Sequence, residues 1–307
     1  MTHNLKFSQR SFYTFLAGIL WLGSLNLASA SLILLHNWDF DSNFNDSVGG
    51  KNATAFGDAA ITGTSKVGSG AVSFDGGDDY LLAGTTSDFV IGTGGMSVSF
   101  WFNVADSDKA GSDRILGTGA GSNSEDGWVF FQTTSPNDQV SAGMGDGGGR
   151  TIQKSNANGT VDPFDGQWHF VVGVFDPSTD TVSNYLDGTL ESTISTEVLL
   201  GGATGAVANT HPLTFGGFPG FPTVFDMQGL LDDVSIWDGL ITQTDVNTLY
   251  NGGVGIAATS AATPPTAIPE PSSILFTGGL LLFCGLFLIR KRKASAVSES
   301  EESVTTS

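Results

Sequence analysis

Asp232 carries the clearest chemical demand in the chain. It lies in Leu230-Leu231-Asp232-Asp233-Val234-Ser235-Ile236-Trp237, where strand alternation puts Leu230, Asp232, Val234 and Ile236 on one face. A carboxylate beside Val234 and Ile236 is costly to bury unless something neutralises it. A metal would do so, and residues 31–268 hold 6 Lys and Arg against 27 Asp and Glu. Calcium suits an all-oxygen ligand set of about six to eight atoms, backbone carbonyls included. Backbone N–H groups at a sheet end would meet the same demand without a metal, so both readings stand.

Asp75, Asp78 and Asp79 form a second acidic group around Gly76-Gly77. Asp and Gly are favoured in turns, so a turn is the plain reading and a calcium contribution the sharper one. Sugar binding needs exposed aromatic faces beside hydrogen-bonding groups. Trp101 shares its strand face with Ser97, Ser99 and Asn103, opposite the apolar face, and is expected to face solvent. Trp128 lies in a Gly-, Ser- and Asp-rich region. These two are the ligand-binding candidates, with packing under a loop as their alternative. Phe215 to Phe225, rich in Gly and Pro, reads as an aromatic loop that rims a site or covers a sheet edge.

Catalysis finds little support. Retaining glycosidases need two carboxylates about 5–5.5 Å apart, and glucanases carry them on one strand face as Glu-x-Asp-x-(x)-Glu, a string this chain lacks. Glu125, Glu191 and Glu197 are the glutamates of residues 31–268 and are scattered. His36, His169 and His211 are far apart, without a Gly-x-Ser-x-Gly elbow, and His169 reads as a sheet-surface residue. There is no phosphate loop and no Cys/His metal spacing. The acidic balance repels nucleic acid and anionic lipid. We therefore expect no enzyme, no catalytic residue and no nucleic-acid partner.

The elements that position these residues alternate with period two. Met96, Val98, Phe100, Phe102 and Val104 form one apolar face. Trp168, Phe170, Val172 and Val174 form another, and Gly127 to Phe131 and Thr181 to Leu186 add two further runs. Asp187-Gly188 signals a type I′ hairpin. One helix is expected after the last strand, capped by Thr242 with Asp245, lined by Val246, Leu249 and Tyr250, and stopped by Gly252. Such spacing predicts an all-β fold, a two-sheet antiparallel jelly-roll sandwich with one short helix after the last strand. The single Cys284 allows no disulfide, so the fold must rest on core burial.

Both termini read as addresses. Lys6 and Arg10, the apolar Phe12 to Leu25 and Ala28-Ser29-Ala30 have the order of a signal peptide over 1–30. Residues 253–268 are small, uncharged and Pro-containing, which predicts a flexible linker. Ile274 to Ile289 would span about 24 Å as a helix, short for a membrane core of about 30 Å. Ser272, Ser273 and the snorkelling Arg290 and Lys291 extend it into a transmembrane helix. Arg290 to Lys293 should stay cytoplasmic, leaving the body outside. Pro269-Glu270-Pro271, the apolar run and the basic cluster together resemble the PEP-CTERM sorting signal of Gram-negative biofilm formers, over 269–293. The resemblance implies recognition by an exosortase and transient inner-membrane anchoring before release to the surface or matrix. The acidic tail 294–307 departs from the family's pattern.

The body, residues 31–252, resembles the laminin G-like jelly roll of the concanavalin A-like lectin/glucanase superfamily. The matching pieces occur in the family's order: His36-Asn37-Trp38-Asp39-Phe40-Asp41 with Asp46-Ser47-Val48-Gly49-Gly50, then Ala71 to Tyr80, then Met96 to Trp101. Asp165-Gly166-Gln167-Trp168-His169, Tyr185-Leu186-Asp187-Gly188 and Gly229 to Trp237 follow. The resemblance implies a structural Ca2+ joining Asp232 to the first-strand segment, through Asp39 or Asp46. It implies an exported, non-catalytic protein binding glycan or protein in the exopolysaccharide matrix. A structural surface protein without a discrete ligand site and a glycosidase-like enzyme are the alternatives.

Overall fold

The computed structural model describes residues 33–105, 113–119, 127–133, 138–145, 150–154, 161–195, 207–219 and 226–262. The chain divides between Pro264 and Pro265 into two units, and every described residue belongs to the first. The signal segment 1–30, Pro269-Glu270-Pro271, the apolar run and the acidic tail lie outside the described residues. Among those described, no helix is long and apolar enough to cross a membrane.

The strands are β1 (Ile33–Trp38), β2 (Ala53–Phe56), β3 (Ala60–Thr62), β4 (Ala71–Asp75), β5 (Tyr80–Ala83), β6 (Met96–Asn103), β7 (Arg114–Gly117) and β8 (Gly127–Thr133). They continue with β9 (Gln139–Gly145), β10 (Arg150–Lys154), β11 (His169–Asp176), β12 (Thr181–Leu186), β13 (Thr189–Ser195), β14 (Leu213–Phe215) and β15 (Gln228–Asp238). One sheet runs β13-β12-β11-β6-β15-β4-β3, with β1 also paired to β15; the other runs β10-β9-β8-β7-β14-β5-β2. All strand pairs are antiparallel. The expected two-sheet sandwich is therefore the observed one.

The sheets meet over an aromatic core. Val98, Phe100 and Phe102 of β6 face Trp128 and Phe130 of β8, with Phe175 and Phe215 beside them. Phe130 meets Phe100 edge-on at 5.0 Å between ring centroids. Gly173 of β11 leaves room for it, because a Cβ there would lie 2.4 Å from Phe130 Cζ. At Asp187-Gly188 the φ angles are 50° and 82°, as a type I′ hairpin requires.

A second apolar cluster lies on the other side of the first sheet. Trp101, Phe170, Val172, Val174 and Trp237 point there and are covered by Ile241, Val246, Leu249 and Ala258. The cover begins with helix α1 (Gln243–Tyr250), where the predicted capping box between Thr242 and Asp245 is present. Asn251 ends it in a left-handed conformation, with φ 47°. The chain then makes a 3-10 turn at Asn251–Gly253 and a short helix, α2 (Ala258–Ala261). The first part of the expected linker thus belongs to the folded body: Ala258 is buried and its N–H donates to Asp233 Oδ2 at 3.2 Å.

Candidate functional site

Asp232 does not share a face with Val234 and Ile236. Pairing between β15 and β6 shifts register between Asp232 and Ser235, and Asp233 sits at φ 43°. This bulge leaves Leu231, Val234 and Ile236 in the core while Asp232 lies opposite Trp101. Asp232 is fully buried. Its Oδ2 accepts from the N–H groups of Lys66 (2.7 Å) and Val67 (2.9 Å), while Oδ1 has no partner. Burial pushes its carboxyl up to about 7 against those two bonds. Asp233 accepts from Asn37 Nδ2 at 3.0 Å and from the N–H of Ala258. Burial raises it to about 6, and the nearby Asp39 and Asp41 add to the rise.

The first-strand acids have hydrogen-bond partners of their own. Asp46 accepts from His36 Nδ1 at 2.6 Å and from the N–H groups of Asn37, Val48, Gly49 and Lys51 at 2.9–3.1 Å. Burial pushes this carboxyl up, yet the His36 bond and the backbone donors outweigh it and hold the carboxyl well below its usual range. Asp46 is the hub of its own loop, with donors on both carboxylate oxygens. Asp39 is half-buried, its Oδ1 accepting from the N–H of Asp41 at 3.1 Å. Among the described residues no three His, Cys, Asp or Glu side chains are grouped to hold one metal. The expected site joins Asp232 to Asp39 or Asp46, and of these three Asp232 has the buried oxygen without a partner. The orphaned Oδ1 of Asp232 alone fits a cation, whose shell backbone carbonyls and water would have to complete.

Both tryptophan platforms are buried. Trp101 is 1% exposed, stacked on Tyr250 at 5.9 Å and lying under Lys66, whose Nζ is 4.7 Å from the ring centroid. Its face of the sheet looks polar locally, but the α1–α2 segment covers it. Trp128 is in the inter-sheet core and donates from Nε1 to Phe89 O at 2.9 Å. Phe215 is a core residue of β14. His169 is buried as well: Nδ1 lies 2.8 Å from Asp187 Oδ2 and Nε2 3.1 Å from Asp165 Oδ1.

The exposed aromatic face is elsewhere. Phe56 of β2 pairs with Tyr80 of β5, and their rings stack at 4.6 Å with 8° between planes. β2 is the edge of its sheet, and Phe56 is 38% exposed. Tyr80 covers one face of the Phe56 ring. Acids flank the pair. Asp58 follows Phe56 and donates its N–H to Asp79 Oδ1 at 2.5 Å. Asp79 Oδ2 accepts from the N–H of Asp75, and Gly77 donates to Asp75 Oδ1. The turn reading of this acidic group holds. Asp58, Asp75 and Asp78 are exposed. Behind Tyr80, a Cβ on Gly217 would touch both Tyr80 Cβ and Asp226 Oδ1. Asp226 is 7% exposed, its Oδ2 has no partner, and burial with Asp113 and Asp78 nearby raises it to about 6. Sequence reasoning quoted Asp78-Asp79-Tyr80 but had no means of pairing Tyr80 with Phe56, 24 residues earlier.

These raised carboxyls fix a pH dependence. Asp232, Asp233 and Asp226 hold protons in the folded chain that an unfolded chain releases near pH 4. Stability present below pH 4 is therefore lost as pH rises through about 6–7. His169 acts in the same direction, since Asp187 and Asp165 outweigh its burial and raise its pKa. In chelator, the melting temperature should fall by roughly 5–10 °C between pH 5 and pH 7.5. A rise over that range would contradict the burial of these acids.

A family model described as Concanavalin A-like lectin/glucanases superfamily matches residues 75–247. No curated protein matches the chain at a significant level. Among solved structures, domain 4 of AbnA, an extracellular arabinanase from Geobacillus stearothermophilus in complex with arabinotriose, is 17% identical with a TM-score of 0.52. The match covers 74% of this chain and 100% of that one. The binding domain of Paraclostridial Mosquitocidal Protein 1 is 14% identical with a TM-score of 0.56, over 73% of this chain and 52% of that one. The botulinum neurotoxin serotype D ligand binding domain in complex with N-acetylneuraminic acid is 15% identical, TM-score 0.54, over 72% and 51%. The chain spans about half the length of these two toxin domains. At such identities the likeness is one of fold.

Proposed function

Because the chain belongs to the concanavalin A-like lectin/glucanase superfamily, we propose that its sandwich is a non-catalytic, exported binding module for glycan or protein of an exopolysaccharide matrix. The exposed Phe56 ring, backed by Tyr80 and flanked by Asp58 and Asp78, carries this reading. A flat aromatic face beside a few polar groups is a surface on which the C–H side of a sugar ring stacks. Solved neighbours with arabinotriose and N-acetylneuraminic acid bound support a sugar as the ligand. The sequence lacks the Glu-x-Asp-x-(x)-Glu string of glucanases, which supports binding over hydrolysis. The signal segment and Pro269-Glu270-Pro271 support export, membrane anchoring and processing by an exosortase.

A glycan array probed with the full-length chain tests this. Specific hits are expected, weakened about tenfold or more by Phe56→Ala and left intact by Glu191→Gln. Silence on every glycan rejects the sugar reading in favour of a scaffold, and hydrolysis of any glycan rejects the non-catalytic one.

A structural Ca2+ at Asp232 remains part of the proposal. The cation would neutralise the unpartnered Oδ1 and favour the ionised carboxylate. Millimolar Ca2+ should then restore the melting temperature lost at pH 7.5 in chelator. Equal melting in calcium and chelator removes the metal.

A further inference from the structure

We propose that the exposed Phe56 ring is a subsite for a cationic amino sugar, a unit of a partly de-N-acetylated polymer of amino sugars. The inference rests on the glycan reading above and narrows it to one charge class. Three observations lead there. The first is shape: Tyr80 stacks on the Phe56 ring at 8° to its own plane on an edge strand, and Phe56 as a residue stays 38% exposed, so a flat ring surface is open to solvent. Such a face accepts the C–H side of a pyranose ring.

The second is charge at the rim. Asp58 leaves β2 two residues after Phe56, and Asp78 enters β5 two residues before Tyr80. Both are exposed, as is Asp75. The Asp58 N–H bond to Asp79 and the Asp75 N–H bond to the same carboxylate knit the two loops together. The backbone carrying Asp58 and Asp78 is thereby held beside the Phe56–Tyr80 pair.

The third is the buried Asp226. It is 7% exposed, its Oδ2 finds no partner, and it lies within electrostatic reach of Asp78 and Asp79. Above about pH 6, where Asp226 has lost its proton, its charge adds to the negative potential that an arriving cation would meet. Aromatic faces attract cations as carboxylates do, through the ring quadrupole. A uronate or sulfated sugar would meet repulsion from the same groups and from a body with 27 acids and 6 bases in residues 31–268. An ammonium-bearing sugar satisfies ring and rim together; a neutral sugar satisfies the ring alone.

Titration calorimetry on the full-length chain separates these cases, using hexamers of glucosamine, N-acetylglucosamine and glucose, with polylysine as a fourth ligand. The glucosamine hexamer should bind about tenfold tighter than the N-acetylated one, an advantage that shrinks as salt rises to about 0.5 M. Phe56→Ala should abolish binding. Asp58→Asn with Asp78→Asn should remove the preference for the cationic hexamer while circular dichroism stays unchanged. Preference for a neutral hexamer overturns this inference and leaves the glycan reading standing. Binding of no hexamer overturns this inference, and the glycan reading falls with it when the array is silent as well. Polylysine binding as tightly as glucosamine overturns the sugar specificity.

Discussion

Trp101→Ala should destabilise the body by about 3–5 kcal/mol, equivalent to a fall of roughly 10 °C in melting temperature. The ring is 1% exposed. It packs on Phe170 at 5.0 Å and Tyr250 at 5.9 Å, and Lys66 lies over it. Gly255, at φ 83°, brings backbone so close that an added Cβ would lie 3.2 Å from Trp101 Cζ2. Truncation empties the space beneath both Tyr250 and the 254–262 segment, so the cover loses its footing. Limited proteolysis should then cut within 254–262 in the variant under conditions that spare the wild type. Glycan affinity per folded molecule should not change. Urea unfolding measures the first expectation, and a loss below about 1 kcal/mol would contradict the buried placement.

The second large effect is at Asp46. Asp46→Asn should cost about 3 kcal/mol or more at neutral pH. The carboxylate collects four backbone N–H groups and His36. An amide in its place offers one oxygen and turns an NH2 towards donors already pointing inward, leaving buried N–H groups unsatisfied. Because the carboxyl of Asp46 is held below its usual range, its contribution is present above pH 4 and is lost as pH falls further. Together with the raised acids, this places maximum stability in chelator near pH 4–5. The same variant separates a hub from a metal ligand. If Asp46 organises its loop, any calcium response of the wild type persists in Asp46→Asn at a lower melting temperature. Loss of that response would return Asp46 to the metal site.

Strand alternation was legible because burial on one side imposes a period of two. The β6, β11 and β12 runs, the Asp187-Gly188 hairpin and the Thr242 cap all follow from local chemistry. What could not be read was long-range. The Asp232–Asp233 bulge inserts one residue, and alternation written across it assigns Asp232 to the wrong face. Trp101 looked solvent-facing because Ser97 and Ser99 share its face, yet those hydroxyls are used internally. Ser97 Oγ accepts from the N–H of Ile241 at 2.9 Å and donates to Gly239 O, and Trp237 Nε1 donates to Ser99 Oγ at 3.0 Å. The small residues after Gly252 read as a linker, but small size is also what lets a backbone lie against a tryptophan ring. The Phe56–Tyr80 pair depends on the register of β2 against β5, which no local pattern specifies.

The ligand is predicted to meet this sandwich at the Phe56–Tyr80 edge and not at the tryptophans. Chemical-shift mapping of the body with a bound oligosaccharide tests it most directly. The largest shifts are predicted at Phe56, Gly57, Asp58, Asp78 and Tyr80, with Trp101 and Trp128 indole signals unmoved. Shifts centred on either indole, with the Phe56 edge silent, would contradict it.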